Sequence, residues 1–575
     1  MPRSPDLSSF LAELESAKSR FERGHVARID QLLDQLASAE LNNPQYVIRF
    51  HECVLFLRAF PHSRAQINRV ERLLDTFHRR IEGLQAKNTD MCLFDDFDTS
   101  GIAGTTMRDV LSFDVARWLE RRIPKNVEID WDACWEDYQA ERNRGNTWPR
   151  FMPLLEEDAD VEASIPWTAW IDTARGRKNA LPWLLRCFAQ LPLSAKQQAE
   201  LYDSLRLPVC WTLQNLKLSR TRNWSRPHHF FLHDAPLIRR SEVSLERELA
   251  RPEPKLTRLS AAAGKRVINA IREIMLVRYR ELYGTTLGDA RWVVRAELGR
   301  GVVMHFWGLP ADRRLPLRAY FAGYTLKNGV PINYVEAIGL CEWLEIGFNT
   351  FYTYRQGETA WIYAQALRCL RALTGASCFS IYPYQIGKDN DEAIDSGAFW
   401  FYRKLGFRSG RRDLQALCKT EECKIAGNAK YRTAPRTLRR LAEAHMFYET
   451  TSKKGTQEKA GAWDSFSVRN IGLLVNRRMA YEFSGDSAKM RRASTAAMVR
   501  ALKLNPSNST SSQKQALENW SLVLALIPDL VRWTFHEKRE IFEIILAKSG
   551  SNEMSYLRLT HKHARLRQAL LRLGS

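Results

Sequence analysis

"DEAIDSGAFWFYRKLGFRSG", residues 391–410, is the stretch whose reading decides the fold. It reads as a helix from Asp391 that gathers Phe399, Trp400, Phe401 and Tyr402 on one turn and closes at Gly406, with a strand opening at Phe407. Glycine ends a helix because it takes the left-handed backbone conformation at no steric cost. Burial against a sheet explains Phe399, Trp400 and Phe401. It explains less well why a tyrosine, a lysine and a Gly-Phe pair follow in that order.

The neighbouring segments supply the sheet. "RWVVRAELGRGVVMHFWG" (291–308) and "PLRAYFAGYTLKNGVPINYVEAIGLCEWLEIGFNTFYTY" (316–354) are aromatic, β-branched and alternating, as strands are. Asn328-Gly329 lies between two such runs and supplies the positive φ of a type I′ turn, so a hairpin is expected there. "ETAWIYAQALRCLRALTG" predicts a helix stopped by Gly375, and "SCFSIYPY" a short strand. The order over 290–412 is β-β-β-α-β-α-β. "YRQGETAW" (354–361) turns from a strand into a helix, and the N–H groups of a helix start, with the helix dipole, suit phosphate.

Within that order, Asp395-x-x-Ala398-x-x-x-Tyr402-x-Lys404-x-Gly406-Phe407 resembles the last core helix and following strand of the GNAT superfamily of acyl-CoA-dependent N-acyltransferases. Asp395 stands where that pattern carries Asn. Arg355-x-Gly357-x-x-Ala360 is similar in kind to the family's pyrophosphate loop, with shifted spacing. The resemblance covers about a fifth of the chain and lacks a visible final hairpin strand, since "RDLQALCKTEECKIAG" (412–427) reads as helix.

The resemblance implies an α+β fold. A GNAT-like mixed-sheet domain (262–412) is flanked by a helical N-terminal domain (1–90), a Trp-rich, mainly helical domain (91–255) and a basic helical region (425–575). "RPEPKL" (251–256) reads as a linker. It implies transfer of an acetyl or other acyl group from acyl-CoA to a primary amine. Backbone N–H groups among Thr350, Phe351, Tyr352 and Thr353 would meet the thioester oxygen. Arg355, Gln356, Gly357, Glu358, Thr359 and Ala360 would form the phosphate loop, and Asp395, Ala398 and Lys404 would line the cofactor arm. Glu358 reads rather as a first-turn carboxylate complementing the dipole. Tyr402 would sit at the CoA sulfur and protonate the leaving thiolate. The amine must lose a proton to a base. The carboxylates on the preceding strands are Glu336, Glu342 and Glu345, of which Glu345 is nearest the acyl-facing strand. No nucleophilic cysteine is required. Alternatives from other classes are an inactive GNAT-like scaffold associated with nucleic acid or the ribosome, and an aminoacyl-tRNA-dependent transferase.

Composition bounds these readings. The chain has 575 residues and a net charge of +21. Residues 431–575 carry 25 Lys and Arg against 12 Asp and Glu, which points to a nucleic acid or an acidic protein as partner. Ten scattered cysteines with one close pair, Cys418 and Cys423, read as reduced thiols of a cytoplasmic protein. No apolar run is long enough to span a bilayer, and "MPRSPDLSSF" lacks the apolar core of a leader. "FDDFDTSG" (94–101) starts like a calcium loop but has Met107 where a bidentate Glu is needed, and reads as an acidic turn capping the next helix. His228, His229 and His233 stand among arginines that oppose a bound cation.

Overall fold

The computed structural model describes residues 7–124, 126–134, 137–154, 167–214, 216–450, 461–503 and 508–575. Residues 1–6, which open the stretch "MPRSPDLSSF", and residues 504–507 lie outside the described residues. The chain divides into two compact units, Met1–Ser225 with Asn269–Thr286, and Arg226–Ile268 with Leu287–Ser575. No helix among the described residues is long and apolar enough to cross a membrane. All ten cysteines are unpaired.

In the N-terminal unit, helices Leu7–Ala17, Arg23–Ser38, Pro44–Ala59, Arg64–Asp75 and His78–Ala86 follow the three- and four-residue apolar spacing. Asn43 and Ser63 start two of them by accepting the N–H groups of Gln45 at 2.8 Å and Gln66 at 3.1 Å. A three-stranded antiparallel sheet follows: β1 (Thr106–Val110), β2 (Val127–Ile129) and β3 (Pro208–Thr212), with β3 in the middle. Trp148, Tyr202 and Trp211 are buried in its core. The acidic stretch at 94–101 folds on itself, Asp96 accepting the Asp98 N–H at 2.7 Å, and leads into β1 rather than capping a helix.

The C-terminal unit is built on a nine-stranded mixed sheet. Its strands are β4 (Leu256–Arg258), β5 (Val293–Glu297), β6 (Val302–Trp307), β7 (Ala319–Lys327), β8 (Val330–Leu340), β9 (Trp343–Thr350), β10 (Cys378–Ile381), β11 (Arg408–Ser409) and β12 (Met446–Glu449). The spatial order is β11-β12-β10-β9-β8-β7-β6-β5-β4. Every neighbouring pair is antiparallel except β9 and β10, which are parallel and joined by helix α1 (Thr359–Thr374). The stretch expected as a linker contributes Leu256 to β4 and belongs to this sheet.

The hairpin at Asn328-Gly329 forms as the residues predict, with φ of 48° and 81°. Asn328 also works through its side chain, accepting the Phe231 N–H at 2.8 Å and donating to the Phe231 carbonyl at 3.0 Å. Gly375 ends α1 at φ 78°. The helix expected over 391–405 is two helices, α2 (Asp391–Asp395) and α3 (Ala398–Lys404), because Gly397 takes a left-handed conformation at φ 67°. Gly406, at φ 102°, then releases the chain toward β11. Beyond 412 the chain is not helical throughout. Helices α4 (Arg412–Gly427) and α5 (Pro435–Leu441) are followed by β12, which enters the sheet between β10 and β11. This supplies the pairing partner that the sequence did not reveal: four residues are too few to display alternation. Later helices include α6 (Val468–Phe483), α7 (Met554–Lys562) and α8 (Ala564–Gly574).

Replacing Asn328 by Ala removes both bonds to Phe231 and leaves a Cβ-bearing residue in a left-handed conformation. We expect a loss of about 2–4 kcal/mol in urea unfolding. Asn328→Gly, which relieves the backbone but not the lost bonds, is expected to recover about 1 kcal/mol of it.

Candidate active site at the strand fork

β9 and β10 pair through Trp343–Cys378, Leu344–Phe379 and Glu345–Ser380. On the closed side of that limit Trp343 Nε1 donates to Ser380 Oγ at 2.7 Å, tying the strands together. β9 then runs on to Thr350 against β8, whereas β10 ends at Ile381. The two parallel strands therefore separate beyond Glu345. The Phe351 N–H bonds to the Ile332 carbonyl at 3.0 Å, on the β8 side. Alternation along an extended strand turns the N–H groups of Phe348 and Thr350 to the side β10 has vacated. Of the four residues expected to offer an N–H there, Thr350 does so, and Phe351 does not because β8 has claimed it. Tyr352 and Thr353 enter a 3-10 turn, Tyr352–Tyr354, that leads into α1.

The loop before α1 is fastened from beneath. Glu358 is fully buried, so it does not face a ligand. Its carboxylate accepts from Arg300 Nε at 3.0 Å, Lys327 Nζ at 3.1 Å and the Ile238 N–H at 3.3 Å. Burial works to raise its pKa, but Lys327 and Arg300 outweigh that and hold it below the usual range. Burial pushes the Lys327 ammonium down to about 8 and the His233 imidazole, beside it, down to about 3. His233 is thus held neutral inside this network, while His228 and His229 are exposed. Above the network, Gly357 donates its N–H to the Tyr354 carbonyl at 2.9 Å, and Gln356 is exposed. Arg355 lies over the Tyr352 ring at 5.5 Å and pairs with Glu392 of α2. Thr359 and Ala360 open α1, whose first N–H groups have no carbonyl within the helix to bond.

On the face of the sheet covered by α1, Tyr363 lies between Phe348 and Tyr402, at ring separations of 5.0 and 5.5 Å. Burial raises both phenols far above their ordinary pKa, so both stay protonated. The buried Tyr363 hydroxyl has no partner among the described residues. Sequence reading missed Tyr363, which looks like any aromatic of an apolar helix. Ala398 is the first residue of α3; Asp395 and Lys404 are exposed. Partial burial, then Arg240 and Arg432, hold the Lys404 ammonium below its usual range.

On the opposite face, Glu345 stands at the last paired position before the fork. Its Oε2 meets His445 Nε2 at 2.9 Å, and its Oε1 lies 3.7 Å from Arg318. Tyr382, the residue after β10, packs its ring 5.3 Å from that of His445 and accepts from Arg469 at 3.2 Å. His445 was invisible in the sequence because it directly precedes β12, the strand that was not expected. Glu342 is not part of this group. It sits in the β8–β9 turn at the far end of β9, bound by Arg567 at 2.8 and 2.9 Å and by Trp463 at 2.8 Å. Glu336 faces Gly347 across β8 and β9, accepts a bond from the Tyr320 hydroxyl, and has its carboxyl raised by burial.

Glu358→Gln removes the carboxylate that pairs with both Lys327 and Arg300 and is expected to cost about 3–5 kcal/mol. The sign follows from the depressed carboxyl: Glu358 contributes its full stability above its unfolded value, 4.5, and loses it as pH falls through the folded value. Unfolding followed between pH 6 and 2 is expected to show a shallower acid limb in the variant than in the parent.

Comparison with protein-family models, with curated proteins and with solved structures finds no match to this chain.

Proposed function

We propose that the C-terminal unit is a GNAT-type N-acyltransferase that moves an acetyl or other acyl group from acyl-CoA directly to a primary amine. The observation that carries this reading is the fork. A parallel pair, β9 and β10, stops pairing at Glu345–Ser380 beside the start of the helix that joins the two strands. The insertion of β12 between β10 and β11 supports it further, because it supplies a final antiparallel partner for β11, reached through α4 and α5 rather than through a hairpin turn.

In this reading the thioester supplies the acyl group and a thiol leaving group. The vacated edge of β9 accepts the pantetheine arm between the strands. The Phe348 and Thr350 N–H groups are the donors available to oxygen as negative charge builds on it. The start of α1 and Arg355 attract the phosphates. Glu345 orients the His445 imidazole by accepting from Nε2, which leaves Nδ1 to take the proton from the amine. The N–C bond then forms and the C–S bond breaks. Tyr402 donates a hydrogen bond to the sulfur; with its phenol raised by burial it acts as a donor that stays protonated. The proton that leaves on the thiol comes from the base or from water.

Steady-state transfer from acetyl-CoA to an amine panel tests this. His445→Ala and Glu345→Gln are expected to lower kcat/KM by about 100-fold or more. Tyr402→Phe is expected to lower kcat about tenfold while acetyl-CoA binding changes by less than about threefold. Unchanged rates in all three variants, or no binding of any acyl-CoA, would overturn the reading.

A further inference from the structure

Resting on that reading, we infer that the acceptor amine carries an oxyanion, a carboxylate or a phosphate, bound by Arg318 and Arg469 beside the Glu345–His445 pair. Four observations converge on it. Arg318 projects from the residue before β7 onto the same face as Glu345, and its guanidinium lies 3.7 Å from Glu345 Oε1. That is its one ionic contact among the described residues, and no described residue accepts a hydrogen bond from it. Its side chain keeps 22% of its surface open. Arg469, the second residue of α6, is exposed, donates to the Tyr382 hydroxyl at 3.2 Å, and feels Glu345 electrostatically.

The charge balance gives the chemistry. Glu345 is one carboxylate beside two guanidinium groups, those of Arg318 and Arg469. Two guanidinium groups against one carboxylate leave these three side chains with a net positive charge. It repels an alkylammonium that carries nothing else, and it attracts an amine that brings its own negative group. The planar guanidinium fork of Arg318 suits carboxylate or phosphate, which it can bind through two parallel bonds. The same positive charge favours the neutral form of the amine, the form that attacks.

Glu345 Oε2 faces His445 and Oε1 faces Arg318, so the base and the anion site lie on either side of one carboxylate. The simplest molecules that carry both an amine and an oxyanion are an amino acid and an aminoalkyl phosphate.

Initial rates with acetyl-CoA and matched probes test the inference: glycine, β-alanine and aminoethyl phosphate against methylamine, ethylamine and ethanolamine. Acetyl-CoA binding is measured in parallel by calorimetry. The parent protein is expected to prefer the anionic member of at least one pair by about tenfold or more in kcat/KM. In Arg318→Gln that preference is expected to collapse toward unity through KM, with Arg318→Lys recovering part of it and melting temperatures unchanged. A carboxylate preference with no phosphate preference, or the reverse, identifies which oxyanion is bound. Transfer to matched amines within about threefold, or to no member while acetyl-CoA binds, would overturn this inference and leave the acyl-CoA site standing. Absence of acetyl-CoA binding would overturn the underlying function.

Discussion

Hydrogen bonding between β9 and β10 ends at the Glu345–Ser380 pair, and the rest of the C-terminal unit is arranged around that limit. A sheet gains little by leaving backbone donors without partners, since each buried unsatisfied group costs about 1–3 kcal/mol. A fork that persists must be held open by its surroundings. Here the closed end is clamped by Trp343 and Ser380, β10 is occupied on its other edge by β12, and α1 enters from a loop fixed by Glu358. The strands are pinned on both sides of the gap and cannot close by local sliding.

The buried ion network beneath the loop shows how this pinning is achieved. Lys327 ends β7, Arg300 precedes β6, and Ile238 belongs to the segment that also bonds to Asn328 through Phe231. One carboxylate thus joins two strands, the irregular 226–240 segment and the start of α1. Buried charges of this kind add less stability than their Coulomb energy suggests, but they define one geometry, because few other arrangements satisfy every group. The geometry they define is the position of the helix start at the mouth of the fork.

Several features were legible in the residues alone, and each had a local cause. Asn328-Gly329 needs positive φ, Gly375 needs a left-handed cap, and the alternating aromatic runs need a sheet. Other features depended on distant partners. Gly397 divides the 391–405 helix although glycine inside a helical pattern is often tolerated. Glu358 reads as a dipole-complementing carboxylate until Lys327 and Arg300, far off in sequence, are brought to it. His445 and β12 were lost together: "MFYE" follows two helices, is buried on both faces, and offers no period to read. Glu342 and Glu345 look alike in sequence. Two residues of β9, Trp343 and Leu344, separate a carboxylate that anchors Arg567 of α8 from one that stands at the fork.

In the proposed function the vacated edge of β9 receives a ligand that bonds as a strand would. Hydrogen–deuterium exchange resolved at single amides, on the full chain with and without saturating acetyl-CoA, tests it most directly. Rapid exchange is expected at Phe348 and Thr350 in the free protein, slowing by about tenfold or more on binding, with Phe351 already slow in both states. Bound acetyl-CoA with no change at Phe348 and Thr350, or no binding, would contradict it.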